Sequence, residues 1–443
     1  MVRIVWGKVV KNSSRMWPSF ASNGFGNLAP PFFMLFVSVL LARELGVDGR
    51  GEVGAAVAPY LLATSIAAFG VPDAVTYFVA RHGGVTRQLA RFATAIMAGG
   101  GAAVAVAFFC LRGVLSGGLP SVATGMAWAS LAIVPVLFVG LVRGVAAGLG
   151  LWRLVATEKF VGAASRLIAI LILQLMNELN SVNAAIAIAF GPAVGLVVYL
   201  GLPYSSSVCD IGPRHRYSVY GKYSMKIWIG SIAGILLMRI DQVLIVPLSD
   251  VFELGLYIVA VNVGEVILVV SNTVREVIFS ADAQKSDDKR LARAARLTAL
   301  ASGILVLLIS VSAPIWFPTV FGEEFRDATP LAVVMLIAVL LGVPGSIAGA
   351  GLSARGKPEL RSIALVIACV LNVALLLVLV PPWGAWGAVL ATLLGNLLSS
   401  NLNVVFMKRN FGHRFRDYYG IRYTDFSALN LRAISAREVS SER

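Results

Sequence analysis

The chain has 443 residues, of which 58% are apolar and 14% are charged, and its mean hydropathy is +0.82. Soluble domains carry about 25% charged residues, so this composition excludes an ordinary soluble enzyme. Three cysteines are too few for a disulfide-stapled secreted domain. The net charge of +14 fits either nucleic-acid binding or a membrane-topology signal, and the placement of Lys and Arg decides between them.

Long apolar runs follow one another along the chain and are separated by short polar loops. A bilayer core about 30 Å thick is crossed by a helix of about 20 residues, so the pattern predicts an all-α integral membrane protein with about twelve spans. The predicted spans are 18–42, 53–79, 92–111, 121–142, 159–176, 184–203, 225–248, 254–274, 297–318, 329–353, 362–380 and 386–406.

The basic residues alternate between the two sets of loops. Of the 37 Lys and Arg residues, 31 lie in the loops that share a side with both termini, and four lie in the opposite loops. The positive-inside rule therefore predicts that both termini are cytoplasmic. This topology accounts for the net charge and predicts contact with anionic membrane lipids. It leaves no support for binding to nucleic acid.

A weak internal repeat divides the chain. Gly51 and Gly255 follow spans one and seven at an offset of 204 residues, and Gly148 and Gly356 follow spans four and ten at an offset of 208. Two parallel repeats are typical of transporters that bind substrate between their halves. The predicted organisation is a cytoplasmic N-terminus (1–17), a first six-helix half (18–203), a basic cytoplasmic loop (204–224), a second six-helix half (225–406) and a basic cytoplasmic tail (407–443).

Apart from Lys159 and Lys226 at span ends, five ionisable residues lie within the predicted spans. A charge at mid-bilayer costs at least ~2.5–3.5 kcal/mol, so such residues usually face a cavity or a partner. We expect Arg239 and Arg166 to contact a phosphate-bearing substrate. Glu265, Asp241 and Asp73 are candidate sites for a coupling proton or Na⁺. The alternative interpretation is structural, for instance an ion pair between Arg239 and Glu265.

The sequence contains no pattern of catalytic residues. It lacks a phosphate-binding Gly-rich loop followed by Lys-Ser/Thr and lacks a metal-ligand spacing, and its predicted outer loops are short. We therefore predict a transporter with no catalytic residue, no metal site and no cofactor other than a coupling ion.

Several short motifs together resemble the oligosaccharide (O-antigen type) flippases of the multidrug/oligosaccharidyl-lipid/polysaccharide exporter superfamily. They are LLARELG (40–46), GRGE (49–52), FGVP (69–72), YFVAR (77–81), RIDQ (239–242), ELGLY (253–257), FGEEF (321–325) and ARGKP (354–358). The resemblance implies a V-shaped, two-lobed, alternating-access fold with a cationic cavity. Arg239 lies in one of these motifs, which makes it the best-supported substrate residue.

The resemblance predicts a flippase that moves undecaprenyl-pyrophosphate-linked oligosaccharide from the inner to the outer leaflet of a bacterial or archaeal cytoplasmic membrane. Its expected partners are the lipid-linked substrate and membrane lipids, with other polysaccharide-assembly proteins as further candidates. A cation-coupled multidrug or small-molecule exporter of the same fold is the first alternative. A membrane-embedded polysaccharide polymerase or ligase is the second, and the short outer loops argue against it.

Overall fold

The computed structural model describes the backbone of residues 13–200, 217–284 and 286–420. Within these ranges all regular elements are helices, and they form nine helical stretches that are long and apolar enough to cross a membrane. The helices are α1 (Ser13–Ala67), α2 (Val71–His82), α3 (Arg87–Ala95), α4 (Gly101–Leu115), α5 (Pro120–Gly148), α6 (Trp152–Leu175), α7 (Ser181–Val194), α8 (Tyr217–Leu248), α9 (Val251–Gln284), α10 (Asp288–Phe321), α11 (Ala328–Ala354) and α12 (Pro358–Phe411).

The ranges of α1 and α12 each contain two helices that meet at a kink, and each covers more than one predicted span. The backbone leaves helical geometry at Gly46 in α1 and at Gly384 in α12. The 54 residues of α12 would extend roughly 80 Å if straight, which is more than twice the thickness of a bilayer core. The range of α12 therefore holds two helices that meet at Gly384, and these supply the eleventh and the twelfth span, although the total of twelve remains a prediction.

A third break separates α1 from α2. Phe69 and Gly70 both have positive φ angles, of 45° and 65°, and Pro72 lies in the first turn of α2. A proline is tolerated there because the first amides of a helix have no intrahelical acceptor. The sequence itself predicts a break in the second span at Gly70-Val71-Pro72, and the structure has it there.

The predicted boundaries differ from the structure at several places. The helix of the seventh span starts earlier than predicted, since α8 already begins at Tyr217, and the helix of the eighth span ends later, since α9 continues to Gln284. Most of the predicted inter-half loop, most of the N-terminal segment and the end of the tail lie outside the described residues. In α6 the charged residues Arg153, Glu158, Lys159 and Arg166 interrupt the apolar pattern, and this helix is not among the nine.

The turns after α5 and α11 have the same geometry. Gly150 and Gly356 both have left-handed φ angles, of 75° and 79°. The amide of Leu151 donates to the carbonyl of Ala146, five positions earlier, as in a Schellman cap, and the amide of Lys357 donates to the carbonyl of Leu352 in the same way. The internal repeat in the sequence paired Gly356 with Gly148. By backbone geometry, however, the counterpart of Gly356 is Gly150.

The segment that follows α12 packs on the basic end of the second half. Arg355 binds Asp282 and Asp288, each with an N–O distance of 2.7 Å. His413 lies 2.9 Å from Asp288, and the Tyr418 hydroxyl lies 3.0 Å from the other ring nitrogen of His413. Burial raises the pKa of the Tyr418 hydroxyl. This cluster fixes the start of the tail to α9, α10 and α11.

Candidate substrate cavity

A cavity of about 190 Å³ opens in the first half, between α5, α6 and α7. Three cations and one carboxylate are among the residues that line it, and its remaining wall is made of proline, glycine and alanine. The lining residues are Pro30, Arg143, Glu158, Lys159, Gly162, Ala163, Arg166 and Pro192. The charged groups of the cavity therefore carry an excess of positive charge.

Arg143 and Glu158 form a bidentate ion pair at the wall of this cavity. Nε and Nη2 of Arg143 lie 2.7 and 2.8 Å from the two carboxylate oxygens of Glu158, which is 1% exposed. The Tyr199 hydroxyl donates to the same carboxylate at 3.3 Å. Both residues lie in a predicted loop (143–158), and the pair was not predicted, because the residues are on different helices that only the turn at Gly150 brings together.

Arg166 projects into the same cavity from α6. Within the described part of the chain its guanidinium has no ion pair, and its Nε is buried without a hydrogen-bond acceptor. A Cβ atom on Gly191 would lie 2.2 Å from Cγ of Arg166, so the glycine in α7 makes room for the side chain. The charge of Arg166 is thus not neutralised by a carboxylate in the described residues.

Further cations lie at the basic end of both halves, on the side of the predicted cytoplasmic loops. Lys159 interacts electrostatically with Arg143 and Glu158 and also with Glu276 of α9, so this part of the first half faces the second half. In the second half, Arg275 and Arg361 come close enough for their charges to repel. Arg275 and Arg361 lie in predicted loops, and Lys159 is the first residue of a predicted span, since each lies near the end of an apolar run.

Arg239 and Glu265 form an ion pair between α8 and α9. Nη2 of Arg239 lies 3.2 Å from a carboxylate oxygen of Glu265, and the two side chains are 29% and 28% exposed. The Gln242 side chain accepts a further, longer bond from Arg239 at 3.4 Å. The pair that sequence analysis offered as the structural alternative is therefore present, but it is partly exposed.

Arg50 lies in the same region, although sequence analysis placed it in an outer loop. The residue is 2% exposed, lies 3.5 Å from the Ser38 hydroxyl and interacts electrostatically with Glu265. Asn262 of α9 donates to the same hydroxyl at 2.7 Å. Because α1 continues as a helix beyond Gly46, Arg50 is carried into the interface between α1 and α9 instead of into solvent.

Asp241 is buried in a separate cluster of the second half. Its carboxylate accepts a hydrogen bond from the hydroxyl of Tyr257, which in turn lies 3.1 Å from the Thr392 hydroxyl. No hydrogen bond or ion pair joins Asp241 directly to Arg239 in the described structure, because residues two positions apart point to different faces of a helix. Asp241 therefore connects α8 with α9 and α12.

Asp73 is exposed in the first turn of α2. Its carboxylate has no ion pair or hydrogen bond to the part of the chain that the structure describes, and it stands where a negative charge stabilises the helix dipole. Of the five candidate residues the structure thus joins only Arg239 with Glu265, and it places Arg166, Asp241 and Asp73 at three separate positions.

The two halves meet at the end opposite the basic loops. Arg43 of α1 donates to the backbone carbonyls of Val320, at 2.8 Å, and Thr319 at the end of α10. Nearby, a Cβ atom on Gly46 would lie 2.8 Å from the carboxylate of Glu324. These contacts close the interface at this end.

Solved structures share this architecture over nearly the whole chain. The lipid II flippase MurJ in its inward closed conformation covers 89% of this chain and 88% of its own, with a TM-score of 0.68 at 13% identity. The multidrug transporter DinF-BH of the MATE type covers 93% of this chain and 97% of its own, with a TM-score of 0.64 at 14% identity. The molecule therefore has the two-lobed, V-shaped, all-helical fold of these membrane transporters, which confirms the expected fold class.

Sequence comparison places the chain in one family with this fold. Residues 19–281 match the family model described as polysaccharide biosynthesis protein, and the chain belongs to that family. A probable low-salt glycan biosynthesis flippase of Haloferax volcanii, Agl15, is 26% identical over 217 residues. That alignment covers 47% of this chain and 45% of the relative, so it spans less than half the length of either protein. The predicted multi-pass membrane protein with the fold of membrane transporters is confirmed.

Proposed function

We propose that the protein moves a lipid-linked oligosaccharide across the cytoplasmic membrane for the assembly of a surface glycan. The observation that carries this proposal is the excess of positive charge in the cavity of the first half, where the guanidinium of Arg166 has no carboxylate partner among the described residues. The family assignment and the similarity to a glycan flippase support the same substrate class.

The chemistry of the substrate requires such a cavity. A pyrophosphate head carries at least two negative charges, and taking it out of water costs several kcal/mol per charge unless fixed cations replace the water. Arginine suits this role because its planar guanidinium binds phosphate oxygens in pairs. The lipid would remain in the bilayer while the sugar-pyrophosphate head crosses between the halves. In this proposal the carrier is undecaprenyl pyrophosphate, and Arg166 and Arg239 contact the head.

The contacts around Arg43 and Gly46 support an inward-facing state. They close the end that the positive-inside rule assigns to the outer face, while the cavity cations lie toward the basic, predicted cytoplasmic side. In the proposed cycle these contacts open when the substrate reaches the outer leaflet.

We assign the coupling of this cycle to Asp241. The carboxylate is 4% exposed, and the described residues around it provide hydroxyl groups from Tyr257 and Thr392 and no direct cationic partner. The carboxylate itself can take up a proton. Together with the nearby hydroxyl groups it also offers the oxygen ligands that a hard cation such as Na⁺ prefers. Asp241→Asn is expected to abolish the dependence of transport on the ion gradient while the protein still inserts, and unchanged gradient dependence would remove Asp241 from this role.

The substrate assignment is tested with Arg166→Ala and Arg166→Lys in a strain that depends on this protein for its surface glycan. The alanine variant should accumulate lipid-linked oligosaccharide on the cytoplasmic side and show at least a several-fold loss of surface glycan, and lysine should retain part of the activity. Arg326→Ala, at an exposed arginine near the opposite face, is the control. Normal surface glycan with Arg166→Ala at normal abundance would contradict the assignment. A cationic cavity also argues against the alternative of a multidrug exporter, whose cationic substrates need acidic contacts.

A further inference from the structure

A second cavity lies on the surface of the second half, away from the interface between the halves. Its volume is about 380 Å³, and it is bordered by α10, α11 and the segment that follows α12. The lining residues are Arg296, Ala299, Leu300, Gly303, Ile304, Leu307, Pro344, Tyr418, Tyr419 and Gly420. We call this cavity the α10 groove.

The α10 groove faces the membrane. Residues 296, 299, 300, 303, 304 and 307 recur every three or four positions, so they form one stripe along α10. Ile304 and Leu307 in this stripe are exposed, as are Leu308, Val311 and Ile315 further along the same helix. A helix with so many exposed large apolar residues is covered by lipid in a membrane protein.

The dimensions of the groove match one leaflet. From Arg296 to Leu307 the helix rises by about 16 Å, which is close to half of the ~30 Å hydrocarbon core. The groove therefore runs from the basic end of the bundle to about mid-membrane, the depth reached by a single acyl chain.

The two ends of the groove differ in chemistry. Its deep end is lined by Ile304 and Leu307, whereas its shallow end is lined by Arg296 and the two adjacent tyrosines, Tyr418 and Tyr419. Tyrosine and arginine are the residues that proteins place at the level of lipid headgroups. Arg296 is held there by a hydrogen bond from its guanidinium to the Asp417 carbonyl.

Positive charge surrounds the shallow end. Arg414 and Arg416 are exposed in the short segment that also supplies the two tyrosines, and Arg293 lies one turn before Arg296 on α10. The acidic residue of the segment, Asp417, binds the Arg414 amide through its carboxylate. Arginines at the level of the headgroups attract an anionic lipid surface.

We propose that the α10 groove binds one anionic phospholipid from the leaflet on the basic side. The acyl chain lies along Leu300, Ile304 and Leu307, and the phosphate lies near Arg296 and the tyrosines. Since Tyr418 and Tyr419 form part of the site, the bound lipid also holds the segment after α12 against α10. This proposal is independent of the transported substrate.

The test uses the full-length protein in a neutral detergent, with phosphatidylglycerol or phosphatidylcholine of identical acyl chains added at equal molar ratios. Native mass spectrometry counts bound lipid, and a thermal unfolding assay reports stabilisation. Wild-type protein should retain one phosphatidylglycerol and gain several degrees in Tm, and phosphatidylcholine should do neither. Equal effects of the two lipids would overturn the proposal.

Two neighbouring leucines provide a matched pair of variants. Leu307 lines the groove and Leu308 does not, yet they are 62% and 63% exposed, so either should accept a larger apolar side chain without disturbing the fold. Leu307→Trp should fill the deep end and remove both the bound lipid and the shift in Tm, whereas Leu308→Trp should keep both. Retention of the lipid by Leu307→Trp would contradict the site.

Other occupants give different results. A polyprenyl phosphate that binds where phosphatidylglycerol does not would make the groove a site for the substrate tail and would overturn the phospholipid assignment. A second copy of the chain in the groove would make Leu307→Trp change the oligomeric state without changing the lipid response, which would also overturn it.

Discussion

Gly51 of α1 lies directly against the backbone carbonyl of Val251 in α9, so closely that a Cβ atom on the glycine would be 2.0 Å from that oxygen. The reverse contact is also present. A Cβ atom on Gly255 would lie 2.2 Å from the Val47 carbonyl. Gly255 is the repeat counterpart of Gly51, and Val251 stands at the same offset from Val47. In each half a glycine packs against a backbone carbonyl of the other half. The two contacts are equivalent, as contacts across a two-fold axis are.

This reciprocal contact predicts the effect of a side chain at Gly51. Gly51→Leu should separate α1 from α9, because the neighbour is backbone and cannot turn aside, and overpacking typically costs about 1–3 kcal/mol. We expect a lower Tm and weaker closure at this end of the molecule. The control is Gly113→Leu in α4, where a Cβ atom would meet no neighbour within 4 Å. An equal Tm for the two variants would show that the helices are not held this closely.

Arg239→Ala should lower transport at least several-fold without lowering the amount of protein. The Arg239–Glu265 pair is partly exposed, and such pairs contribute only about 0–1 kcal/mol to stability. Arg239→Lys should keep part of the activity because the charge remains. Surface glycan and membrane abundance are measured in parallel.

The double variant Arg239→Ala/Glu265→Ala separates the two interpretations of this pair. A purely structural pair predicts low abundance in the single variant and recovery in the double variant. A substrate contact predicts normal abundance and low transport in both.

Arg143 and Glu158 should behave differently from Arg166. Glu158 is 1% exposed and Arg143 is 36% exposed, so Arg143→Ala leaves a buried carboxylate without its partner. Such a loss typically costs about 3–5 kcal/mol, so Arg143→Ala should lower the Tm strongly. The double variant Arg143→Ala/Glu158→Ala should recover part of the loss. Arg166→Ala should leave the Tm near wild type, since no ion pair is broken in the described structure. A large loss of Tm in Arg166→Ala would mean that Arg166 serves stability.

Cysteine labelling tests the orientation of the bundle. Asp48, Glu323 and Ser286 are all exposed, and the first two lie at the opposite end from the third in the predicted topology. In a background without native cysteines, a membrane-impermeant thiol reagent added outside intact cells should label Asp48→Cys and Glu323→Cys. It should label Ser286→Cys only after the membrane is permeabilised. Labelling of residue 286 in intact cells would reverse the orientation.

The sequence by itself determined the class of the protein and most of its helices. Apolar runs long enough to cross a bilayer are a one-dimensional property, because each membrane helix satisfies its own backbone hydrogen bonds. The break at Gly70 can also be predicted from the sequence, because it depends on local residues. Gly70 permits a positive φ angle, and Pro72 favours the start of a helix. The equivalence of Gly51 and Gly255 was also visible, because both follow corresponding spans of the internal repeat.

Only the tertiary structure decided which charges are neutralised. Arg143 and Glu158 lie on different helices, and so do Arg239 and Glu265, so spacing within one helix decides neither pair. The sequence offered the Arg239–Glu265 pair only as one of two interpretations. The predicted spans put Arg50 in a loop. In the structure it lies in the helix that follows the kink at Gly46, and its side chain is buried where α1 meets α9. Pairing of buried charges depends on how helices cross, and helix crossing depends on close contacts such as that of Gly51 with Val251, which follow from packing in three dimensions.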